Sequence, residues 1–169
     1  MDKKLFWELI EKTYRASKGD PDKQAKLLII TLAGMSELEI IAYQDIHDDL
    51  VDEAYIAELF ELAYIMGGGC SNDGFMDFRA WLIGQGKNVF EKALDDPESL
   101  IDLVDAGQET QSESLLYVAM KAYELNTGKD IETMPKRKNT MPMKLKGKSS
   151  QDEDAMLARF PKATKKFWK

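Results

Sequence analysis

Between residues 67 and 75 the chain reads GGGCSNDGF, which sets a run of three glycines, its one cysteine and an aspartate between two strongly apolar stretches. Such a loop can do chemistry in two ways. Backbone N–H groups at the start of a following helix, with Gly68, Gly69, Cys70, Ser71, Asn72, Asp73 and Arg79 around them, can hold an anion or polar ligand. More simply, Gly67–Gly69 end one helix with backbone angles that glycine accepts cheaply, and Asp73 caps the next. The named phosphate motifs do not fit, because Asn72 stands where a third spaced glycine belongs and no Gly-Lys-Ser/Thr follows. An EF-hand register with Gly74 at position six fails too, since Gly69, Ser71 and Ala80 fall where ligands belong.

Nucleophilic use of Cys70 requires a base, and the sole histidine, His47, lies on a different helix. A small thiol turned toward the apolar interior is the expectation instead. His47 with Asp45, Asp48, Asp49 and Asp52 offers oxygen and nitrogen donors, but one histidine and one cysteine make no transition-metal set. The expectation is no metal, no cofactor and no catalytic residue. In FMDFRAWLI, Phe75, Phe78 and Leu82 fall on one stripe for the core, with Asp77 and Arg79 facing elsewhere.

Charge is divided unevenly. Residues 1–128 carry 11 Lys/Arg against 25 Asp/Glu, a net of −14, and residues 129–169 carry 12 against 5, a net of +7. An acidic body repels nucleic acid and anionic membrane, so contact with either falls to the basic tail. A lone cysteine forms no internal disulfide, and the charged opening MDKKLFWELIEK does not read as a signal peptide. The longest apolar stretch, Ala54 to Met66, is too short to span a bilayer and is interrupted by Glu58 and Glu61. These features point to the cytoplasm.

The elements that position these residues read as helices throughout. Leu5, Phe6, Leu9 and Ile10 mark an amphipathic helix to about Ala16, and Asp20-Pro21 opens a second. Ser36 and Glu39 form a capping box for a third, running toward His47. From about Leu50 to Met66 the pattern is apolar on nearly every side, as in the central helix of a bundle. Asp73 starts the next helix, ended by Gly84 and Gly86, and a shorter one holds Val89 to Leu94. Asp96-Pro97 repeats the cap-plus-proline start, and Ser112 opens a longer helix closed by Gly128. No stretch alternates as a strand requires, so the fold class is all-α, a compact multi-helix bundle around a central apolar helix. The division is a helical domain over 1–128, a basic linker over 129–149 without an apolar period, and a short C-terminal helix with an aromatic tail over 150–169. There Ser150 and Glu153 suggest a capping box, and Phe160, Phe167 and Trp168 a clip that docks on the body.

At FWELI (6–10), GGCSNDGFMDFRAWLIGQGKNVFEKALDDPESL (68–100) and LYVAMKAYE (116–124) the chain resembles a family of bacterial domains classed as a domain of unknown function. Its members open F-W-x-L-I and contain G-G-C-S-D-D-x-F-x-x-F-R-x-W-L-I. ARFPKATKKF (158–167) is similar to a terminal segment that many members carry. The resemblance covers roughly residues 3–126 and implies no activity. Asn72 replaces the second aspartate of the motif, which removes a charge from any paired-carboxylate site there.

The reading that follows is a non-enzymatic binding or regulatory module of the bacterial cytoplasm, its acidic surface meeting a basic protein partner in an immunity-type role. The alternative is a small-ligand or enzymatic protein using loop 67–75. A third places nucleic-acid contact on the basic run KRKNTMPMKLKGK.

Overall fold

A computed structural model describes residues 1–137, 144–150 and 152–168. The described residues form ten α-helices and no β-strand: α1 (Lys3–Ser17), α2 (Pro21–Ala33), α3 (Glu37–Glu53), α4 (Ala57–Gly67), α5 (Asn72–Gly84), α6 (Lys87–Asp95), α7 (Glu113–Leu116), α8 (Val118–Thr127), α9 (Glu153–Arg159) and α10 (Pro161–Phe167). The all-α bundle stands.

Local signals place the first helices well. Asp2 and Asp20 each accept a backbone N–H at the head of α1 and α2, Pro21 occupies the first position of α2, and the Ser36/Glu39 capping box is fully formed. Each satisfies a donor that the helix itself leaves unpaired.

The next boundaries differ from the sequence reading. α3 does not stop near His47 but continues to Glu53, because Leu50 and Val51 extend the buried stripe begun by Ile40, Tyr43 and His47. The break falls at Ala54–Ile56, where no glycine or proline advertises it. There the backbone turns outward to pair with Lys146: Ala57 N–H donates to the Lys146 carbonyl at 2.8 Å, and Lys146 N–H to that of Tyr55 at 3.1 Å. The central apolar helix is therefore α5 rather than the stretch from Leu50 to Met66. α5 packs against α1, α2, α3, α4, α6 and α7, and every residue from Phe78 to Gly84 is buried. That burial includes Arg79, against the expectation that it faces away from the core.

Other starts shift for similar reasons. Ser71, not Asp73, caps α5. Asp96-Pro97 opens only a 3-10 turn (Pro97–Leu100), with no side-chain cap. The helix after Ser112 is interrupted at Tyr117, and Ser112 contributes no cap bond. In the C-terminal part Asp152 caps α9, while the Ser150 hydroxyl donates to the Asp152 carbonyl.

The stretch after Gly128 contributes to the core where it is described, although it lacks an apolar period. A 3-10 turn (Ile131–Thr133) sets Met134 into the main apolar cluster, and Arg137 reaches Asp49 and Asp52 at 2.7 and 2.6 Å. Residues 138–143 of the basic run lie outside the described residues. Beyond them residues 144–150 and the helices α9 and α10 form an arm along α4, and Phe160, Ala163 and Phe167 join the core.

Candidate functional site

The glycine loop turns as its composition requires. Gly68 ends α4 in the left-handed region (φ 65°, ψ 31°), and Gly69 follows at φ 132°, its N–H donating to the Tyr64 carbonyl at 2.8 Å. Both angles strongly favour glycine over any L side chain. Ser71 Oγ then accepts the Gly74 N–H at 3.0 Å. Gly74 has a different purpose: a β-carbon there would stand 3.1 Å from Gln111 Oε1, so its absence lets the Gln111 amide lie against the head of α5.

The candidate ligand residues do not converge on one point. Asn72 and Asp73 are exposed in the first turn of α5, and Ser71 is committed to the cap. Arg79 is 2% exposed; its Nε donates to the Phe75 carbonyl at 3.2 Å and its Nη1 to the Val51 carbonyl at 2.8 Å. The guanidinium carbon lies 4.8 Å from both the Tyr55 and the Phe75 ring centroids. Arg79 thus ties α5 to the last turn of α3, where a cation complements the helix dipole. Lys87 heads α6, beyond the opposite end of α5, and pairs with Glu91.

Cys70 is half-buried at the edge of the core rather than turned fully inward, and its thiol donates to the Ser71 carbonyl at 3.4 Å. Burial pushes the thiol pKa up to about 11, with Arg79 opposing the rise and Asp77 adding to it. It is a poor nucleophile at neutral pH. The carboxyl of Asp77 is also raised, first by burial and then by Glu113, Asp73 and Glu109. The head of α5 is therefore ringed by carboxylates, an electrostatic setting that works against an anion. A hollow of about 340 Å³ opens beside the loop between Met66, Gly67, Gly68, Ala106, Gly107, Phe167 and Trp168.

His47 is 3% exposed and stacks on Tyr43, so it faces the core while Asp45, Asp48, Asp49 and Asp52 do not share that burial. Burial lowers its pKa to about 4. Among the described residues no group of three or more His, Cys, Asp or Glu is arranged to hold a metal.

Sequence reasoning missed a second site. Glu61, at 0% exposure, accepts the Ser150 N–H at 2.6 Å and Arg159 Nη1 at 3.1 Å, while Arg159 Nη2 reaches Glu58 at 2.7 Å. One turn on, the Tyr64 ring stacks on Trp168 (centroids 5.5 Å apart, planes at 23°) and its hydroxyl donates to Glu153 at 2.9 Å. In the sequence Glu61 stands out only as an interruption of an apolar stretch. An acid in a helix that is apolar all round is the signal that a cation comes to it from elsewhere.

The structure is thus a helical body with a C-terminal arm laid along α4. The chain belongs to the family described as "Protein of unknown function (DUF4240)", whose model matches residues 1–125. No curated protein and no solved structure matches it significantly. No described helix is long and apolar enough to cross a membrane.

Proposed function

We propose that the chain is a non-enzymatic binding module of the bacterial cytoplasm whose acidic body takes up a basic protein partner, an immunity-type neutralising role being one form of that activity. One observation carries the reading. Every ion pair between distant segments of the described chain runs from a basic residue after Gly128 to an acidic residue of the body: Lys129 to Glu37, Arg137 to Asp49 and Asp52, and Arg159 to Glu58 and Glu61. The body's carboxylates are thus placed to receive guanidinium and ammonium groups. The carboxylates of Asp73, Asp77, Glu109 and Glu113 extend the same character around the head of α5.

A second reading keeps a small ligand in loop 67–75, and the hollow against Gly67, Gly68 and Trp168 favours it. It gains no support from Arg79, which is spent on carbonyl groups. Lys129, Arg137 and Arg159, engaged with carboxylates, add nothing to nucleic-acid contact.

The test is tagged full-length chain used to recover a partner, followed by titration with both components pure at low and high salt. A basic partner whose affinity falls steeply with salt, and falls again in a Glu109→Lys/Glu113→Lys variant, is expected. A salt-insensitive or acidic partner, or turnover of a small molecule at loop 67–75, overturns the proposal.

A further inference from the structure

We infer that the face of α4 bearing Glu58, Glu61 and Tyr64 is a recognition site for a peptide segment that presents arginine followed by spaced aromatic residues, and that the chain's own C-terminal arm is its resident competitor. This deepens the binding-module reading and rests on it.

The argument begins with Glu61. Burying a carboxylate is costly unless donors meet it, and here both donors, Ser150 N–H and Arg159, belong to the arm. No described side chain of the body hydrogen-bonds Glu61, so the body holds half of a site that only an incoming segment completes. Arg159 answers it with a fork, one nitrogen to Glu61 and the other to Glu58, a geometry that lysine does not reproduce.

Aromatic character is selected beside that charge. Phe160, directly after Arg159, and Phe167 enter the core, and the Trp168 indole covers Tyr64. Polar contacts tie the segment down at both ends. Lys146 pairs across Ile56, its N–H meeting the Tyr55 carbonyl and its carbonyl the Ala57 N–H, and at the other end the Ala163 N–H reaches Glu98 at 3.4 Å and Lys166 Nζ reaches the Ile101 carbonyl at 2.7 Å. Charge fork, aromatic sockets and backbone pairing together read one kind of peptide.

The arm is seated with Phe160, Ala163 and Phe167 in the core, while the Arg159 side chain keeps 40% of its surface exposed. A tethered segment has an effective concentration in the millimolar range, so an external peptide must displace it or find it weakened.

The test is a fluorescein-labelled peptide of residues 158–168, ARFPKATKKFW, titrated by anisotropy against four folded full-length proteins. These are the wild type, Arg159→Ala/Trp168→Ala, and that double variant with either Glu61→Gln or Tyr64→Ala added. The double variant is expected to bind about tenfold or more tightly than wild type, because its own arm competes poorly, and adding either α4 change is expected to reverse that gain. Two further peptides leave the protein untouched: one with the arginine and tryptophan replaced by alanine, and a lysine-only peptide of the same net charge. Both are expected to bind at least tenfold more weakly than the parent peptide. If the lysine peptide binds as well as the parent, the acidic surface survives as a general receiver of basic segments and this site is refuted. Equal binding to all four proteins also refutes it.

Discussion

Glu61 and Arg159 stand 98 residues apart in sequence and meet at 3.1 Å, and the glutamate end of the pair has no exposed surface. The arm is thereby joined to the body by a charge that water does not reach. Arg159→Ala should lower stability by about 1–3 kcal/mol, the cost of leaving a buried acceptor without its donor. Glu61→Gln should cost less, because the amide oxygen still accepts the Ser150 N–H and no charge is left buried. Urea titration of the two variants orders them, and a wild-type midpoint for Arg159→Ala would show the arm contributing nothing.

At the head of α5 the cap belongs to Ser71. Ser71→Ala should cost about 0.5–2 kcal/mol, whereas Asp73→Asn, an exposed change in the first turn, should stay within about 0.5 kcal/mol. Thermal melts separate the two, and the reverse order would return the cap to Asp73.

These two residues show how far the sequence reading reached. The Ser36/Glu39 box and the Asp20-Pro21 start were legible because both partners of each bond lie within one turn of each other. At Ser71-Asn72-Asp73 three residues in a row are competent caps, and composition does not choose among them; the Ser71 backbone, in the extended region, does. Arg79 was misplaced because an arginine on a helix reads as a solvent-facing charge, and the Val51 carbonyl and the Tyr55 ring that receive it come from another part of the chain. The α3–α4 break was missed because no glycine or proline marks it, and the Lys146 backbone that pairs there lies some ninety residues downstream. The aromatic clip was visible in Phe160, Phe167 and Trp168, but not the buried acid beneath it.

Gly69→Ala isolates backbone strain from crowding. Nothing lies within 4 Å of the position its β-carbon would take, so the whole cost comes from holding φ near 132°. About 1–3 kcal/mol is expected in equilibrium unfolding. A neutral substitution would mean that the loop relaxes to another turn.

His47 should make stability depend on pH. Its folded pKa, about 4, lies below the unfolded value near 6.5, so between these values the unfolded chain binds a proton that the folded chain refuses. Stability is therefore held in full above about pH 6.5 and lost as pH falls toward 4, with a slope of about 1.4 kcal/mol per pH unit within that window. His47→Gln should flatten the slope between pH 6.5 and 5, where most carboxylates remain ionised. An unchanged slope would place the titration elsewhere.

Cys70 should label slowly. With its thiol pushed up to about 11 and its side chain partly buried, reaction with a maleimide at pH 7.5 is expected to run one to two orders of magnitude slower, roughly, than in the unfolded chain. Equal rates would place the thiol in open solvent.

The reach from Glu61 to Arg159 also sets a schedule. At roughly 5–20 residues per second, a ribosome needs about 5–20 s after making the glutamate to make the arginine that neutralises it. In the last part of that interval, after α8 ends at Thr127 and before Arg159 follows, the body of the nascent chain presents an open acidic groove. The segment that closes the groove is made after the helix that forms it, so during synthesis the groove precedes its cover.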